Sequence, residues 1–114
     1  MLVFAGSLAS SRRTRELNRE DNPMPTYMIE RFLPGVTASE VRATAARAKH
    51  EAVRMTEEGT AVQYLESMFS VEDETGFCLF EGPSREAIRE ANARAQIPFE
   101  RIAEVIHISA EEVD

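Results

Sequence analysis

The chain has 114 residues, 43% hydrophobic and 29% charged, the proportions of one soluble globular domain and not of a fibrous, disordered or membrane-spanning chain. A domain of this size removes roughly 65% of its unfolded surface from water, so it needs neither metal nor disulfide to fold. The formal charge of −7 argues against nucleic acid and anionic membrane as partners, which demand clustered Lys and Arg, and the single cysteine, Cys78, excludes an intrachain disulfide or a cysteine-cluster metal site and suits the cytoplasm.

Residues 1–23 read as a flexible N-terminal extension. Their short apolar start, Leu2 to Ala5, precedes the arginines Arg12, Arg13, Arg15 and Arg19, the reverse of a secretory signal, and Met24 is an alternative start. The folded domain is expected over 24–109, with 110–114 as a C-terminal tail. Tyr27 to Leu33, aromatic and branched, predicts a first strand stopped by Pro34-Gly35. Thr37 and Glu40 have the spacing of a capping box, and Val41, Ala45, Ala48, Ala52 and Met55 recur at helical spacing up to Gly59, which supplies a left-handed stop. Val62 to Val71 and Phe77 to Glu81 predict a hairpin around the polar loop 72–76, with Gly76 as its glycine. Ser84 caps a second helix with Ala87, Ile88, Ala91 and Ala95 on one face, and Arg101 to Ser109 predicts the last strand.

The order strand, helix, strand, strand, helix, strand is the ferredoxin-like α+β plan, a four-stranded antiparallel sheet with two helices on one face. Alternation makes both sheet faces partly apolar. Tyr27 and Ile29 oppose Met28 and Phe32, Val62, Tyr64 and Met68 oppose Leu65 and Phe69, and Phe77 and Leu79 oppose Cys78 and Phe80. An uncovered apolar face predicts a homodimer packed sheet on sheet.

No residue set announces a reaction, and no catalytic residue is assigned. Glu30, Glu66 and Glu104 each place a carboxylate among apolar strand neighbours, and His107 in the last strand is positioned to meet one of them. These four are the candidate ligand-binding residues. With strand order four-one-three-two, Glu30 and Glu104 become neighbours, whereas Glu66 lies about 10 Å from the first strand. The bland alternative is a solvated face with Arg31 and Arg101 nearby. His50 is expected on the exposed side of the first helix, and Cys78 as an inert buried thiol.

The segments Tyr64-Leu65-Glu66-Ser67-Met68-Phe69 and Phe77-Cys78-Leu79-Phe80-Glu81-Gly82-Pro83, with Met24 to Arg31 and Ile102 to Val105, resemble a family of small bacterial proteins built on a domain of unknown function, one of which binds nickel. The resemblance spans Met24 to about Ile106 and implies a ferredoxin-like subunit pairing into a dimeric α/β barrel. In the nickel-binding branch it implies histidines in the first strand and a His-x-x-x-His pair on the second helix. The matching positions here hold Arg31, Phe32, Asn92 and Gln96, so the nitrogen ligands are missing while Glu66 and Glu104 match.

These observations together favour a small non-enzymatic homodimer that binds a metal ion, such as nickel, or a small ligand in or near an intersubunit, carboxylate-lined cavity. The alternatives are a cofactor-independent or haem-type dimeric α/β-barrel enzyme, a monooxygenase or an isomerase, and a pure interaction module.

Overall fold

The computed structural model describes residues 24–114, so the expectations for the N-terminal extension lie outside the described residues. The elements are β1 (Thr26–Phe32), α1 (Ala38–Glu57), β2 (Gln63–Ser70), β3 (Thr75–Glu81), α2 (Arg85–Arg94) and β4 (Arg101–Val105), followed by a 3-10 turn at Ala110–Glu112. The sheet has the order β2-β3-β1-β4, with every pairing antiparallel. This is the α+β, ferredoxin-like architecture.

Local chemistry sets the helix ends. The backbone N–H of Glu40 donates to Thr37 Oγ1 at 3.1 Å and the Thr37 N–H donates to Glu40 Oε1 at 2.8 Å, so two of the orphan donors at the start of α1 are satisfied. Gly59, at φ +109°, ends that helix. The Val62 N–H then donates to Thr56 Oγ1 at 3.0 Å, tying the end of α1 to the start of β2. Ser84 Oγ accepts from the Ala87 N–H at 3.1 Å and caps α2.

In antiparallel pairs, directly opposed residues share a face. Tyr27, Ile29 and Arg31 of β1 stand opposite Phe80, Cys78 and Gly76 of β3, and Ile29 also opposes Ile102 of β4. This set faces the helices. Phe80, Ile29, Ile88, Ala48, Ala52, Met55 and Ala91 are buried there, and each large apolar side chain contributes about 1.5–3 kcal/mol by leaving water. The small residues of α1 and α2 let both helices lie close to the sheet.

Three details differ from the sequence-based expectation. A bulge between Tyr64 and Glu66 shifts the β2 register by one residue, so Tyr64 opposes Phe80 on the helix face while Met68 opposes Phe77 on the other. Uninterrupted alternation had put Tyr64 and Met68 together. Gly76 lies inside β3, not in the loop, and the left-handed turn residue is Glu74, at φ +53°. The last strand stops at Val105, not at Ser109, because Val105 pairs with Thr26, the first residue of β1, and the ladder ends there.

Arg31 is 1% exposed, the largest fully buried side chain. Its Nη2 donates to Asn92 Oδ1 at 2.8 Å and its Nη1 to the Pro98 carbonyl at 3.4 Å, while Asn92 Nδ2 donates to the Ile88 carbonyl at 2.9 Å. Nε has no acceptor. The cation is thus held by neutral oxygens, and each one removed leaves a buried donor bare. Asn92→Ala is expected to lower stability by about 1–3 kcal/mol in urea unfolding. The double change Arg31→Met with Asn92→Leu, which removes both polar partners, is expected to cost less than Asn92→Ala alone.

Candidate functional site

The face away from the helices carries the candidate residues. Across it, Glu66, Leu79, Met28 and Ala103 stand in one cross-strand row, and Met68, Phe77, Glu30 and Arg101 in the next. Glu30 and Glu66 therefore share this open face, two strand spacings or about 10 Å apart. Glu104 does not join them. It opposes Tyr27 and so belongs to the helix-facing side, which corrects the expectation that it neighbours Glu30. The side chain opposite Glu30 is Arg101, whose Nε donates to Glu30 Oε1 at 2.9 Å. Of the two arginines expected near the glutamates, Arg101 is at the face and Arg31 is sealed on the other side of the sheet.

The bulge on β2 decides where Glu66 points. Two residues along a regular strand return to the same face, so without the extra residue Leu65 the carboxylate would follow Tyr64 toward the helices. With it, Tyr64 turns inward and Glu66 turns out. Tyr64 stacks edge-on against Phe80 with ring centroids 5.5 Å apart, and its hydroxyl lies 2.6 Å from Ser67 Oγ, which donates to Cys78 Sγ at 3.0 Å. Cys78 is buried within this chain of contacts.

His107 meets a carboxylate, though not one on the adjacent strand. Its Nε2 lies 2.8 Å from Glu66 Oε2. Glu66 is on β2 at one edge of the sheet and His107 follows β4 at the other edge, about 14 Å away across three strand spacings. The segment after Val105 therefore crosses the open face to reach Glu66. Leu79, between Glu66 and Met28 in the same row, points away from the helices and yet is only 8% exposed. The next rows remain bare, with Met68 at 63% and Phe32 at 51% exposure.

The pair is open to solvent, with the His107 side chain 32% and the Glu66 side chain 52% exposed. An imidazole nitrogen and a carboxylate oxygen are the donors that a first-row dication accepts. No three His, Cys, Asp or Glu side chains among the described residues converge on one point, so the described residues supply two protein donors here. Two grooves among the described residues lie elsewhere. A groove of about 500 Å³ between α1 and β2 is lined by Lys49, Val53, Thr56, Glu57 and Tyr64, and His50 sits in a second groove beside Arg47, Glu51 and Arg94.

The positions matching the nitrogen ligands of the nickel-binding branch are also placed. Arg31 and Asn92 touch each other inside the core, Gln96 is exposed at φ +58°, and Phe32 is on the open face. The Asn92 oxygen is occupied by a permanent cation, so a divalent ion does not fit between Arg31 and Asn92.

Comparison with known proteins agrees with this architecture. The family model described as "Nickel responsive protein SCO4226-like" matches residues 27–105. The crystal structure of SCO4226 from Streptomyces coelicolor A3(2) is similar at 25% identity and a TM-score of 0.58, over 74% of this chain and 99% of that one. No curated protein matches.

Because the Glu66–His107 contact is partly exposed, its expected worth is that of a surface pair. A double-mutant cycle with Glu66→Gln and His107→Gln, read by chemical unfolding, should return a coupling of about 0.2–1 kcal/mol, and the same cycle with Glu104→Gln in place of Glu66→Gln should return none.

Proposed function

The chain belongs to the SCO4226-like family of nickel responsive proteins, and from that premise we propose that it is a non-enzymatic homodimer that binds a divalent ion, nickel first, at Glu66 and His107 on the open sheet face. The observation that carries the reading is the 2.8 Å approach of His107 Nε2 to Glu66 Oε2. Metal bonds of about 2.0–2.1 Å to nitrogen and oxygen, at the 90° angle of a tetragonal or octahedral site, hold the two donors about 2.9 Å apart. An ion can therefore replace the hydrogen bond with little change in donor spacing.

Water or a second subunit completes the coordination. Met68, Phe32 and Phe77 form the apolar part of the bare face, and the Glu30–Arg101 pair beside them is self-complementary about a two-fold axis, which supports pairing with a second copy. The ion-binding pair borders that surface. Glu104, turned toward the helices, takes no part in this reading, and Glu30 acts at the subunit contact through Arg101.

Native mass spectrometry of untagged protein, with nickel(II) titrated into chelator-free buffer, tests both parts. The expected result is a two-chain mass that takes up nickel, with His107→Gln or Glu66→Gln weakening uptake by about tenfold or more and Glu104→Gln leaving it unchanged. Met68→Glu is expected to shift the population toward single chains. Nickel uptake indifferent to His107→Gln removes the assignment, and a single-chain mass at micromolar concentration removes the dimer.

A further inference from the structure

After Val105 the chain has Ile106-His107-Ile108-Ser109, a sequence of strand-forming character that pairs with no strand. It runs over the open face instead. The polar tie between this segment and the sheet is the His107–Glu66 contact. The hydrogen bonds further along are local: the Ser109 N–H and Oγ both donate to Glu112 Oε2, and the Val113 N–H donates to the Ala110 carbonyl. Ile108 and Val113 are each 58% exposed, so apolar packing anchors the outer part weakly. Beneath the crossing lies Leu79, almost fully covered, beside the half-buried Met28.

We infer that residues 106–113 form a strap whose hold on the sheet is set by the occupant of the Glu66–His107 pair: a divalent ion bound there clamps the strap across the face, and its loss frees the strap to lift and uncover Leu79 and Met28. This regulatory role rests on the reading of Glu66 and His107 as the ion-binding pair. One donor belongs to the sheet and the other to the strap, so an ion that binds both binds only the closed form. Closure and ion binding are then linked, and each strengthens the other. Opening joins Leu79 and Met28 to the bare Met68 and Phe32 and the half-buried Phe77, and the apolar area offered to a second copy grows.

Amide hydrogen exchange on the full chain, with nickel(II) alone as probe and equilibrium dialysis in parallel, tests the inference. With nickel at ten times its Kd, exchange at 106–109 that proceeds through the lifted form is expected to slow about elevenfold, and exchange at 78–80 to slow with it wherever it follows the same opening. His107→Gln and Glu66→Gln should each abolish the slowing and raise the basal exchange of the strap. Nickel retained through His107 with unchanged exchange at 106–109 overturns the strap while leaving the ion-binding pair in place. Nickel not retained by the unmodified chain overturns the pair and the ion-gated strap together.

Discussion

Two helices can cover one face of a four-stranded sheet and no more. In this chain α1 and α2 take the face that carries Ile29, Phe80 and Ile102, so the other face must be met by something other than these helices. The segment after β4 covers the rows nearest its own origin, and the rows of Met68, Phe77 and Phe32 are left over. The placement of Glu66, Glu30, Arg101 and His107 follows from that division. The register of β1 against β3 and β4 assigns Glu30 and Arg101 to the uncovered side, the bulge at Leu65 brings Glu66 into the set, and His107 joins it through its contact with Glu66.

The helix-facing side deals with charge in a different way. Arg31 enters the core as a full cation with the Asn92 and Pro98 oxygens as acceptors. A guanidinium cannot be neutralised by losing its proton, so that end of the core carries a permanent positive charge surrounded by dipoles. The related positions through which the nickel-binding branch is implied to ligate are thereby closed to a second cation. On the opposite side of the sheet an imidazole and a carboxylate meet in reach of water.

Much of the fold was legible in the sequence because its signals are local. Thr37 with Glu40, Gly59, Ser84 and the alanine spacing each act within a few residues, and the elements appear where those signals put them. The strand order and the two-strand separation of Glu66 from Glu30 also followed from the plan. What escaped depends on pairing. A period-two reading of β2 has no means of seeing the extra residue at Leu65, since nothing in Tyr64-Leu65-Glu66 differs from a regular strand. The side on which Glu104 falls depends on its partner Tyr27, and the meeting of His107 with Glu66 depends on a turn of the chain across the whole sheet. The burial of Arg31 has no local signal either, because the oxygens that receive it come from residues 61 and 67 positions away.

The bulge on β2 also constrains how this sequence can diverge. Side-chain facing in a strand depends on the parity of the residue count, so the distance in sequence between Tyr64 and Glu66 matters as much as the residues themselves. Loss of one residue there would either swing the carboxylate under the helices or expel Tyr64 from its contact with Phe80 and Ser67. Substitutions at Leu65, by contrast, keep the count and so keep both orientations. Relatives that retain this surface chemistry should therefore vary in the identity of the bulged residue while conserving its presence, and a relative one residue shorter in this strand would have to have abandoned the site.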